Sequence, residues 1–264
     1  MTEHPVTSEQ APGRPARSRP AILAAVVGVT GELLITFGVL LGLFVVWQLW
    51  WTDVIADRIQ ADVTAELEWV RPVQQVAAAP TPTPTEVPEQ DPVRRDFPAP
   101  SIGEPEHLTT FALMYVPRWG PDFARTISQG TSKSDVLDVL GVGHYEGTAM
   151  PGAIGNFAVA GHRTTYGKPF NRIEELVVGD PIVVQTAGTW YVYRVQSTSI
   201  VLPHQVEVLA AVPGQPGEVP TEAVMTLTTC HPMYSARERY IVHATLDYWM
   251  STDDGQPAEL TGEA

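Results

Sequence analysis

A chain with a single thiol can use it for packing or for chemistry. Cys230 is the only cysteine among 264 residues and ends the alternating run in "AVMTLTTCHP". A lone cysteine commonly serves as a small buried hydrophobe. It can also be a nucleophile, provided a histidine manages protons and a donor stabilises the tetrahedral oxyanion. Both kinds of group are available. His162 closes "AVAGHRT" and Arg239 opens "RYIVHA". Arg237 competes with Arg239, and His107, His144, His204, His231 and His243 compete with His162. Cys230, His162 and Arg239 would each sit at the end of an extended run, where a fold can converge them on one cleft. Spacing by itself leaves that open. One thiol also excludes an internal disulfide framework and a cysteine-rich zinc site.

The runs that must carry these residues are strand-like. "TFALMYVPR", "GNFAVAGH", "PIVVQTA", "TWYVYRVQSTSIV", "AVMTLTTC" and "RYIVHATLDYW" are β-branched or aromatic and largely alternating. Gly and Pro clusters such as "MPGAIG" and "VPGQPGEVP" separate them. Two short helices are expected, at "SKSDVLDVLG" and "KPFNRIEEL". Residues 107–249 therefore read as one all-β domain, a closed barrel or a sandwich.

The rest of the chain suggests where that domain works. Residues 21–51 form an apolar segment longer than the roughly 20 residues that span a bilayer. The span is placed at 33–51, which leaves Glu32 at one face, since a mid-bilayer carboxylate costs about 3 kcal/mol. Trp47, Trp50 and Trp51 then form an aromatic cluster at the other face. Arg14, Arg17 and Arg19 precede the span, so residues 1–20 are expected in the cytoplasm and the bulk of the chain outside. Residues 52–71 carry a helical period and read as a juxtamembrane helix. Residues 72–106 are proline-rich and read as an extended spacer. Residues 250–264 are acidic and aperiodic and read as a disordered tail. The net charge is −14, and the domain has no basic patch of the kind a nucleic acid requires. No cofactor is expected, and no metal; the adjacent Glu174 and Glu175 are a weak calcium signal.

The residues around Cys230, His162 and Arg239 resemble those of a known family. "TLTTC" is similar to the TLxTC signature of sortases, the cysteine transpeptidases of Gram-positive surfaces, while "AGHR" and "RYIVHA" resemble their histidine and arginine segments. The longer strings "GVGHYEGTAMPGAIGNFAVAGHRTTYGKPFNRIEEL" and "TLTTCHPMYSARERYIVHA" look like class E, the housekeeping type of actinobacteria. The resemblance implies a closed eight-stranded β-barrel preceded by a transmembrane helix and Pro-rich linker. It implies Cys230 as nucleophile, His162 as general acid and base, and Arg239 as the oxyanion and substrate group. It further implies cleavage of an LAxTG- or LPxTG-like sorting signal between Thr and Gly, and transfer to an amine of a peptidoglycan precursor. Thr229 is a candidate for shaping the oxyanion site. Tyr115 is a candidate for lining the peptide groove, and His144 and Tyr145 for bordering the cleft. Two rivals stand beside this reading: a tethered cysteine protease with water as acceptor, and a non-catalytic β-domain that binds envelope components.

Overall fold

The structure is a computed structural model that describes residues 19–70 and 92–262, the side chains of 19–22 and 48–49 excepted. Eight strands close into a barrel: β1 (Thr110–Tyr115), β2 (Ala124–Gln129), β3 (Val142–His144), β4 (Gly155–Ala160), β5 (Pro181–Gln185), β6 (Thr189–Val201), β7 (Ala223–His231) and β8 (Glu238–Ser251). Their order around the barrel is β1-β2-β3-β4-β7-β8-β6-β5, and the β1–β5 pairing closes it. Closure leaves no exposed sheet edge. Side chains that alternate inward, among them Met114, Ile127, Phe157, Val159, Tyr193, Met225, Leu227 and Val242, fill one continuous core.

Six of these strands follow the runs read from the sequence. The other two, β2 and β3, do not announce themselves: "ARTISQ" is polar and "VGH" is three residues long. At Gly143 in β3 an added Cβ would lie 2.2 Å from the carbonyl oxygen of Gly130, so only glycine permits that approach. The two expected helices are reduced to a π-type turn at Lys133–Leu137 and a 3-10 turn at Ile173–Glu175.

A single helix, α1, runs from Arg19 to Glu66 without a break between the apolar segment and the expected juxtamembrane helix. From Leu23 it is long and apolar enough to cross a membrane, with mean hydropathy of 2.2 in its best window. Residues 1–49 and 50–264 form separate compact units. Within the second unit, the end of α1 is fixed to the barrel. Gln60 Oε1 accepts from Thr126 N at 2.9 Å and from Thr126 Oγ1 at 3.1 Å, and Gln60 Nε2 donates to Leu140 O at 2.8 Å. Asp53 pairs with Lys168 at 2.6 Å, and Asp57 with Arg125 at 3.3 Å.

Two boundary expectations change. Residues 1–18, residue 71 and 72–91 of the Pro-rich segment lie outside the described residues. Residues 92–106, expected as spacer, pack on the barrel instead. Arg94 bridges to Trp249, Ala99 is buried, and Pro100 O accepts from Tyr191 Oη at 2.6 Å. The acidic tail is also not free. β8 continues to Ser251, and α2 (Ala258–Thr261) returns Glu259 to accept from Tyr248 Oη at 2.5 Å and to pair with Arg194. Proline density and acidity describe solubility, and neither registers that a few apolar and charged anchors suffice to tie a segment down.

Candidate active site

β4 and β7 run parallel, with Ala160 opposite Thr228. His162 and Cys230 each follow two residues later. The chains stay together between those points: Gly161 N donates to Thr228 O at 3.2 Å, and Thr229 Oγ1 donates to Gly161 O at 2.7 Å. β7 and β8 run antiparallel, with Cys230 directly opposite Arg239. Parity sets the faces. Met225 and Leu227 on β7, Phe157 and Val159 on β4, and Val242 and Ala244 on β8 point into the core. Cys230 and Arg239 therefore share the outer face, since successive side chains alternate across a strand, and His162 follows two residues beyond the end of β4. Directly opposed same-face residues have Cβ atoms about 5 Å apart. The register thus gathers the three expected residues at one end of three neighbouring strands.

Each has a defined environment. Cys230 is half-buried, as a reactive thiol needs to be for a substrate to reach it. His162 Nε2 lies 2.6 Å from Asp138 Oδ1, and the ring packs 5.2 Å from that of Tyr166. Gly161 just before it admits no side chain, because a Cβ would meet Phe170 Cδ2 at 2.9 Å and Pro169 Cγ at 3.0 Å. Arg239 Nη1 donates to Ala236 O at 3.0 Å and Glu238 O at 2.9 Å, which holds the guanidinium at the β7–β8 turn. Arg237 is exposed in that turn, outside the strand. The register therefore favours Arg239 as the arginine beside the thiol.

The other candidates separate. Thr229 is buried, and its hydroxyl bonds across to β4. Tyr145 is partly exposed, with its hydroxyl 3.1 Å from Thr228 Oγ1, on the same outer face of β7 as Cys230. Tyr115 is buried on the outer face of the barrel instead of lining an open groove: it donates to Gln185 Oε1 at 2.9 Å and packs in a cluster with Trp190, Val192 and Tyr248. Burial pushes its hydroxyl up to about 12. His144 is likewise fully buried, edge-on to Phe111, with its ring nitrogens 2.7 Å from Gln129 Oε1 and 3.0 Å from Ala149 O. Burial lowers its pKa, outweighing the acceptor at Ala149 and the charges of Glu104 and Glu146. A Gly-rich loop context suggests exposure, but the histidine falls on β3 and its side chain turns inward.

Two residues beside the site, Asp138 and Arg163, escaped the sequence reading, and His231 was noted only as a neighbour of the thiol and a rival to His162. Asp138 was part of an expected helix, with no motif to mark it. Arg163, buried at 2% exposure, pairs with Glu174 at 2.9 Å and reaches Cys230 O at 3.4 Å. His231 Nδ1 lies 3.1 Å from Glu174 Oε1. Glu174 and Glu175, the weak calcium signal, face cations of the chain itself, Arg163 and Arg172. Among the described residues no cluster of His, Cys, Asp and Glu could hold a metal ion.

Comparison with known proteins agrees with the geometry. The sortase domain profile matches residues 114–247. Sortase SrtE2 of Streptomyces coelicolor is 37% identical over 265 residues, covering 93% of this chain and 91% of the relative. Sortase SrtE1 of the same organism is 37% identical over 254 residues, covering 94% of this chain; the chain spans 65% of that relative's length. The structure of the SrtA sortase from Actinomyces oris superposes with a TM-score of 0.59 at 43% identity, covering 62% of this chain and 94% of the other. An eight-stranded barrel, a thiol opposite an arginine and a histidine just beyond the parallel neighbour strand agree with these matches: the chain belongs to the sortase family of cysteine transpeptidases.

Proposed function

We propose that this chain is a membrane-anchored transpeptidase that cleaves an LAxTG- or LPxTG-like sorting signal between Thr and Gly and joins the acyl half to an amine of a cell-wall precursor. The observation that carries the reading is the register: Cys230 opposite Arg239 across β7–β8, and His162 beside it at the end of β4.

The chemistry follows from the groups. The Cys230 thiolate attacks the threonine carbonyl carbon. Charge builds on the carbonyl oxygen, where the Arg239 guanidinium, a planar fork of N–H donors, stabilises it. The C–N bond to glycine breaks as the His162 imidazolium gives its proton to the departing amine, leaving a Cys230 thioester. An incoming amine attacks the thioester, passes its proton to His162 and expels the thiolate, which restores the starting state. Thr229 supports this by fixing β7 to Gly161, and Tyr145 borders the same outer face. The apolar part of α1 anchors the protein, with residues 1–20 in the cytoplasm and the barrel outside the cell, where sorting signals and precursor amines meet.

The test is cleavage of a sorting-signal peptide with and without an added amine. The wild type releases the glycine half and forms the amide product. Cys230→Ala does neither; cleavage by that variant at the wild-type rate contradicts the proposal. Release of the acid alone, indifferent to added amine, would favour the protease reading.

A further inference from the structure

We infer that Asp138 is the positioning residue for His162, fixing which ring nitrogen carries the proton and which faces the reaction. The inference rests on the proposed transpeptidase chemistry. His162 Nε2 lies 2.6 Å from Asp138 Oδ1, and the pair is largely withdrawn from water, with side-chain exposures of 16% and 19%. A carboxylate only accepts hydrogen bonds, so it selects the ring form that bears a hydrogen on Nε2. The neutral ring then keeps its lone pair on Nδ1, and the imidazolium presents its second N–H there. Nδ1 is thus the nitrogen that gives a proton to the leaving glycine amine and takes one from the incoming amine. A histidine's reacting nitrogen is set in this way by the hydrogen bond its other nitrogen makes.

Asp138 is itself held. It follows the π-type turn Lys133–Leu137, and its amide donates to Lys133 O at 2.8 Å. Two residues on, Leu140 O accepts from Gln60 Nε2 at 2.8 Å and from Thr126 Oγ1 at 3.1 Å. On the other side of the pair, His162 O accepts from Phe170 N at 3.0 Å, and the Tyr166 ring lies against the imidazole. Both partners are fixed before substrate arrives, as an orienting carboxylate requires.

The substitution that isolates the effect is Asp138→Asn. The amide has nearly the same shape, but its NH2 can donate to Nε2 and so favours a proton on Nδ1, the wrong nitrogen. The expected result is a fall in kcat for peptide cleavage on the order of 10²-fold, with KM for the peptide changed less than about threefold. Asp138→Glu, which keeps the carboxylate, should recover part of the loss. The readout that a merely structural residue would not move is the tautomer, seen by nitrogen NMR of the full chain labelled on histidine, with the His162 signals assigned through His162→Gln. Wild-type neutral His162 should carry its proton on Nε2, and Asp138→Asn should shift it to Nδ1. Full kcat in Asp138→Asn overturns the inference, as does a loss of kcat with the proton still on Nε2. If Asp138→Asn does not fold, the wild-type spectrum alone decides: a neutral ring protonated on Nδ1 overturns the assignment. Active Cys230→Ala or His162→Gln protein would instead defeat the underlying transpeptidase reading. With both inactive and Asp138→Asn fully active, only the role of Asp138 is lost.

Discussion

At the residue scale the fold separates two arginines that the sequence places two positions apart. Arg239 lies in β8 opposite Cys230, with its guanidinium held by the carbonyls of Ala236 and Glu238. Arg237 is exposed in the turn before the strand. Loss of one preorganised oxyanion donor costs about 10²–10³-fold in kcat. Arg239→Ala is therefore expected to lower peptide cleavage by about that factor, whereas Arg237→Ala should stay within about twofold of wild type, as surface changes usually do. A dead Arg237→Ala beside an active Arg239→Ala would reverse the assignment. The placement of Cys230, His162 and Arg239 at the ends of neighbouring runs was legible because each flanks a run of alternating residues and each run carries a family motif. Asp138 was not legible, since "SDVLDVLG" gives an aspartate in a short turn no distinguishing pattern. Its meaning comes from a fold that lays β3 and the preceding turn alongside β4. Tyr115 and His144 failed for the converse reason. Their polar atoms suggested a cleft, but His144 turns into the core beside Phe111 and Tyr115 is covered on the outer face, where Gln129 and Gln185 satisfy them.

At the scale of elements, the end of α1 supports the segments that present His162 and Asp138. Gln60 ties the helix to β2 and to Leu140, and Asp53 pairs with Lys168, six residues beyond His162. Ala56 is buried where a Cβ on Gly167 would meet its own at 2.9 Å. The helical period of residues 52–71 was readable, but its partner was not, because the anchoring contacts go to polar groups of β2 and loops that have no pattern of their own. Thr126 is fully buried and its amide relies on the Gln60 side chain. Gln60→Ala leaves that donor unsatisfied, which costs about 1–3 kcal/mol. Thermal unfolding of the full chain should show a lower Tm for Gln60→Ala, and an unchanged Tm would mean that the helix end contributes nothing to the barrel. Closure into eight strands was also only partly visible. Six strands announce themselves by alternation, and β2 and β3 are strands because their neighbours' edges need pairing.

At the scale of the whole molecule, a buried histidine and a half-buried one link the barrel's stability to pH. Burial holds His144 below its ordinary value despite the acceptor at Ala149, and burial does the same to His243, whose Nδ1 lies 2.9 Å from Thr226 Oγ1. Each ring binds a proton less readily in the folded chain than in the unfolded one, where histidine titrates near about 6.5. The sign follows: stability is full above about pH 6.5 and falls as the pH drops below it, because the unfolded state then takes up the protons. Tm should decline between about pH 7.5 and 5.5, and the His144→Gln, His243→Gln double variant should decline less over the same range. Equal slopes would show that these rings take up protons as readily in the folded chain as in the unfolded one.

The most direct measurement of the central claim is the intact mass of the protein during turnover of a sorting-signal peptide. The expected result is an adduct on Cys230 equal to the peptide's acyl half, discharged to an amide when an amine is added and absent from Cys230→Ala. Product formation with no acyl intermediate, or an adduct that survives in Cys230→Ala, would contradict it.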